Sequence, residues 1–93
     1  MKRMVSFEVS AKDFLFLKQT VETMTKYIVR TVYNGEDVLF DIPEKSLNDF
    51  LLDYRSFYVR KGLQNEEEIN DTGVRLNRIY EEHIEPVLKE NNL

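Results

Sequence analysis

Ninety-three residues with 42% hydrophobic content are too few to divide between two stable cores and too apolar to be disordered, so a single domain is expected over residues 1–93. The complete absence of cysteine excludes disulfide frameworks, thiolate zinc sites and cysteine nucleophiles, and fits a reducing compartment. The net charge of −4 is uneven: residues 1–34 hold six Lys/Arg against three Asp/Glu, and residues 35–93 hold seven against fourteen. Glu8, Lys12 and Asp13 interrupt any signal-peptide core or membrane span after Lys2 and Arg3, so a cytoplasmic, non-membrane protein is expected.

Val5, Phe7 and Val9 alternate with Ser6 and Glu8, the period-two pattern of a strand with one buried face, which predicts a strand over residues 4–9. Ser10 offers a hydroxyl to a backbone N–H three residues on, and Asp13 places negative charge in a first turn, so a helix is expected from Ala11. Phe14, Leu17, Val21 and Met24 form its apolar stripe, widened by Leu15 and Phe16 towards a second contact.

Tyr27–Tyr33 is rich in β-branched and aromatic residues and runs straight into Asn34-Gly35, which favours a tight hairpin of type I′. That loop pairs Tyr33 with Glu36, Thr31 with Val38, Val29 with Phe40 and Tyr27 with Ile42. The other face then sets Val32 beside Asp37, Arg30 beside Leu39 and Ile28 beside Asp41. Pro43 ends the second strand, and Ser46-Leu47-Asn48-Asp49 reads as the start of a helix. Its stripe is Leu47, Phe50, Leu51, Tyr54, Phe57 and Tyr58, and Gly62 is placed to close it in the left-handed conformation.

Residues 63–71 read as an acidic linker or short helical turn. A last helix follows, with Leu76, Ile79, Tyr80 and His83 or Ile84 on one face, a stop or kink at Pro86, and a frayed tail over 89–93. The expected fold is α+β, a three-stranded sheet in strand–helix–strand–strand–helix–helix order with helices on one face, the first strand pairing either parallel or antiparallel.

No catalytic or metal-binding constellation emerges, and no cofactor is expected. His83 is the only histidine and lies near an apolar stripe; Gly35, Gly62 and Gly73 are isolated, which disfavours a phosphate loop; Glu66-Glu67-Glu68 and Asp71 lack the alternating ligands of a calcium loop. Asp41 with Glu44, and Asp49 with Asp53, have a spacing common to any acidic domain. A non-enzymatic protein-interaction or regulatory domain is therefore expected. Its candidate surface is the outer hairpin face with Ile28, Arg30, Val32 and Leu39, together with Tyr33, Tyr54 and Tyr58, and its partner is an unspecified protein or a second copy in a homodimer.

Nucleic acid is an alternative partner, since Lys2, Arg3, Lys12, Lys18, Lys26 and Arg30 make the front half basic without clustering. The stretch from Ser10 through Tyr27-Ile28-Val29-Arg30-Thr31-Val32-Tyr33-Asn34-Gly35-Glu36-Asp37-Val38-Leu39 to Ser46-Leu47-Asn48-Asp49-Phe50 resembles, in order of elements over about residues 1–60, the Phd/YefM-type antitoxins. That resemblance implies a dimeric DNA-binding repressor whose C-terminal segment wraps a toxin. A third alternative, resting on the charge asymmetry, is an acidic inhibitor that occupies a basic site of a nucleic-acid-binding protein.

Overall fold

The computed structural model describes residues 3–64 and 68–93. Strand β1 (Met4–Ser10) leads into helix α1 (Ala11–Thr20), and a 3₁₀ turn (Met24–Lys26) precedes the hairpin of β2 (Arg30–Asn34) and β3 (Asp37–Pro43). Helix α2 (Glu44–Gly62) follows, then two-residue strands β4 (Leu63–Gln64) and β5 (Glu68–Ile69), and finally α3 (Asp71–Ile79), a π-helical turn (Tyr80–Ile84) and α4 (Glu85–Glu90). The order β1-β3-β2, with both pairings antiparallel, makes β3 the central strand and decides between the two arrangements open for β1. The fold is α+β, as the sequence pattern predicts.

Alternation sorts the sheet. Val5, Phe7, Val9, Val38, Phe40 and Ile42 are buried under the helices, and the phenyl rings of Phe7 and Phe14 each stand 5.5 Å from that of Phe40. The predicted stripe of α1 and the turn after it, Phe14, Leu17, Val21 and Met24, is buried throughout. Ser10 caps α1 by accepting the Asp13 N–H at 3.1 Å. Lys61 donates to the Thr20 carbonyl at the other end, a cation where the helix dipole is negative.

The hairpin register differs from the expected one. Gly35-Glu36 forms the loop, with Gly35 at φ +65°, and Asn34 pairs with Asp37. A positive φ at the first loop position alone is the signature of a type II′ turn, which asks for glycine once, whereas type I′ demands two such residues. The shift preserves which residues share a face but improves the pairs: Val32 now faces Leu39, and Arg30 faces Asp41. Strand β2 also begins at Arg30 and not at Tyr27. Tyr27 turns its ring edge-on to Phe50 at 6.2 Å and donates its hydroxyl to Asp53, so this aromatic anchors α2 instead of extending the strand.

Helix α2 starts two residues before Ser46. Its first N–H, that of Glu44, is taken by the Arg3 carbonyl at 2.9 Å, and Pro43 at the cap position makes no side-chain hydrogen bond. Gly62 stays helical and does not adopt the left-handed conformation. Glycine is required there by close approach: a Cβ on Gly62 would lie 2.7 Å from the Gly73 Cα.

The described part of the predicted linker or helical turn pairs as β4 and β5, Leu63 with Ile69 and Gln64 with Glu68; Glu66 and Glu67 lie outside the described residues. The π-helical turn ends two residues before Pro86, whose missing N–H breaks the α-helical ladder. The segment expected to fray carries a closing set of hydrogen bonds. Asn92, at φ 59°, donates to Lys89 and Leu93 donates to Leu88, a Schellman closure, and Arg3 donates to the Asn91 side chain at 2.8 Å.

A Cβ on Gly73 would overlap the Gly62 carbonyl oxygen and lie 2.7 Å from Ile69 Cγ1, whereas one on Gly35 meets nothing within 4 Å. Gly73→Ala should lower stability by about 2 kcal/mol despite alanine's better helix propensity, and Gly35→Ala by about 1 kcal/mol from its backbone angle alone. Urea denaturation midpoints test the ranking; a Gly73→Ala protein as stable as the parent would mean the two helices do not meet this closely.

Candidate functional site

Of the residues proposed for an interaction surface, Arg30, Val32 and Leu39 share one sheet face, whereas Ile28, Tyr33, Tyr54 and Tyr58 lie elsewhere. Val32 and Leu39 pair on the outer sheet face, which also carries Met4, Ser6, Glu8, Arg30 and Asp41 and is not covered by a helix. Ile28 is half-buried against the core. Tyr33 is 65% exposed, its ring edge-on to Phe14. Tyr54 is buried and donates its hydroxyl to the Leu76 carbonyl at 2.6 Å, so it belongs to the helix–helix interior; burial pushes its phenol well above the ordinary range. Tyr58 is half-buried and accepts from Asn77 at 3.3 Å.

Tyr58 nevertheless marks a site. Gly62 against Gly73, Tyr58 against Asn77 and Tyr54 against Tyr80 run in opposite senses along α2 and along α3 with the π-helical turn that continues it, so α2 and α3 form an antiparallel hairpin. Its outer side is an open groove of about 420 Å³. From α2 come Asn48, Leu51, Leu52, Arg55 and Tyr58, with Tyr54 beneath them; from the opposite wall come Asn77 and Tyr80. Leu52 is 59% exposed, and Val59 and Val74, one on each helix, are half exposed.

Helix α2 therefore has two apolar stripes. Leu47, Phe50, Tyr54 and Phe57 face the core, while Leu51 and Leu52 recur seven residues later as Tyr58 and Val59 on the outside. Sequence reading placed Leu51 and Tyr58 in the core stripe, and both do pack against the core from half-buried positions, but it overlooked Asn48, Leu52, Arg55 and Val59. The signal was there in the adjacent apolar pairs, which are wider than a one-sided helix requires. Arg55 is the only charged residue lining the groove, and among the described residues it forms no ion pair.

A second concavity lies at the start of α1, where Asp13, buried, accepts from Arg75 at 3.1 Å and Arg78 at 2.9 Å. Burial alone would push the Asp13 carboxyl up, but hydrogen bonds and charge from the two guanidiniums outweigh it and hold the group below its ordinary 3.8. Arg75 also stacks on Phe16, 4.3 Å from the ring centroid, which accounts for the Phe16 side of the wide stripe expected of α1, whereas Leu15 faces outward and is exposed. The half-buried His83 borders this concavity with Glu82 4.0 Å away. The cluster ties α1 to α3 as a structural latch.

The carboxylate pairs noted in the sequence go to separate partners: Asp41 accepts from Ser6, Glu44 pairs with Arg3, and Asp53 accepts from Tyr27 and Thr23, which hold its carboxyl low. Among the described residues, no group of three or more His, Asp or Glu side chains is arranged to hold a metal ion, and no helix is long and apolar enough to cross a membrane. Comparison with protein-family models, curated proteins and solved structures returns no match.

Asp13→Asn should cost about 2 kcal/mol at neutral pH, less than a fully buried pair because both guanidiniums reach water. The folded carboxyl titrates below its unfolded value, so its contribution is complete above about pH 4 and fades as pH falls through the lower folded pKa. The gap between parent and variant in urea midpoint should accordingly narrow as pH falls below the ordinary carboxyl value of 3.8; a gap unchanged on acidification would show that Asp13 contributes no titrating stabilisation.

Proposed function

We propose that this chain is a non-enzymatic protein-interaction domain and that its contact surface is the α2–α3 groove. The observation that carries the reading is the apolar wall that α2 gives the groove, half-buried Leu51 and Tyr58 beside exposed Leu52, with exposed Val59 next to Tyr58 on the same helix. Tyrosine and arginine beside aliphatic residues are the side chains favoured at protein contacts. The dispersal of the carboxylates among separate hydrogen bonds and ion pairs supports the non-enzymatic part. Under the antitoxin-like repressor reading, toxin contacts would have to come from residues other than Leu76, Ile79, Ile84 and Leu88, which are buried in this chain's own core.

Leu52→Glu combined with Val59→Glu changes exposed positions, so the thermal midpoint should stay within about 3 °C of the parent. A partner captured by the parent chain in its native host should be lost from this variant and kept by a control carrying Val32→Asp on the outer sheet face. Equal capture by all three proteins would sink the groove assignment.

A homodimer is a second reading, favoured by one observation: β2 is an edge strand whose Val32 and Tyr33 are exposed, with Val29 exposed just before it and no proline to discourage pairing. Sedimentation should then give twice the monomer mass for the parent and a folded monomer for Val32→Asp. A monomeric parent at roughly 100 μM, well above a micromolar dissociation constant, would eliminate it.

A further inference from the structure

Both walls of the groove are helices whose backbone groups are bonded within themselves, so it offers no free edge to which an extended peptide could add as a strand. What it offers is relief. Leu51 and Tyr58 are separated by two turns, roughly 10 Å along the axis at 1.5 Å per residue, with Tyr80 on the facing wall. A third helix laid between α2 and α3, with apolar residues at steps of three, four and seven, matches that spacing as ridges match a groove.

Charge narrows the occupant further. Arg55 stands between Leu51 and Tyr58 on α2, is exposed, and has no carboxylate within ion-pair reach among the described residues. Two grooves facing one another about a two-fold axis would bring Arg55 towards its own copy, which disfavours a second copy of this chain at this site. Resting on the interaction reading above, we propose that the α2–α3 groove binds an amphipathic α-helix of another protein that carries an aspartate or glutamate opposite Arg55.

The test uses a randomised library of helix-forming peptides selected on the full chain, with Leu52→Glu as the counter-selection target. Recovered peptides should share apolar residues at helical spacing and an acidic residue at one fixed position. Their affinity should fall roughly tenfold or more for Arg55→Glu, and should return when the peptide's acid is replaced by lysine. Circular dichroism on both protein variants establishes that they are folded. Peptides that need Leu52 but are indifferent to Arg55→Glu, or that bind without forming a helix, overturn the acidic-helix occupant and leave the groove as an interaction site. A library in which nothing distinguishes the parent from Leu52→Glu overturns both.

Discussion

Two backbones touch where Gly62 at the end of α2 meets Gly73 in the first turn of α3, with room for no side chain on either. That contact sets how closely the C-terminal third of the chain approaches α2, and much else is arranged from it. Asn70 reinforces it by capping α3 through the Gly73 N–H and donating its amide to the Lys61 carbonyl. One turn on, the Tyr54 hydroxyl reaches the Leu76 carbonyl, and Leu76, Ile79 and Ile84 descend onto the sheet. Helix α1 is only ten residues long, so this third helical segment is needed to cover the inner face of β1 and β3. With α2 and α3 pinned at their glycine end, the outer ridges remain parted and the groove is left between them.

The uneven charge of the sequence acquires a different meaning in the fold. The ion pairs between residues distant in sequence join the two halves: Arg3 to Glu44, Glu22 to Lys61, and Asp13 to both Arg75 and Arg78. Two of the three acids of the basic front are thus matched with cations from the acidic back. A division that looks like a field for steering a charged partner is partly consumed in holding the halves together. The buried member, Asp13, occupies the first turn of α1, where its charge also suits the helix dipole.

Elements whose evidence is local were readable from sequence. The alternation of β1, the Ser10 cap, the stripe of α1 and the existence of a hairpin each depend on neighbours within a few residues. What escaped depends on pairs far apart. Gly62 looks like a helix terminator unless one knows that Gly73 lies against it. Tyr54 and Tyr58, one turn apart, are indistinguishable until α3 buries the first and leaves the second at a rim. The hairpin register slipped because both loops keep the same residues on the same face; only the cross-strand match of Val32 with Leu39 and Arg30 with Asp41 separates them. The contact of the tail with Arg3, from the opposite end of the chain, at Asn91 was likewise beyond any local pattern.

The groove raises one energetic question, why a helix of a small domain should carry a second apolar stripe. Exposing Leu52, Val59 and Val74 forgoes burial that a domain of this size could use, since stability of a short chain rests on a small core. Tyrosine moderates the penalty: Tyr58 and Tyr80, both half-buried, line the groove with side chains suited to a surface half apolar and half wet. Polar substitution at Leu52 or Val59 would remove it without touching the sheet, because neither side chain belongs to the core. On the interaction reading, the unburied area becomes binding free energy, and a partner seated in the groove stabilises the folded chain in proportion to its concentration over its dissociation constant. Retaining such a stripe on a chain with so little core to spare is therefore best understood as the unfinished side of a three-helix contact, with α2 and α3 supplying two of its members.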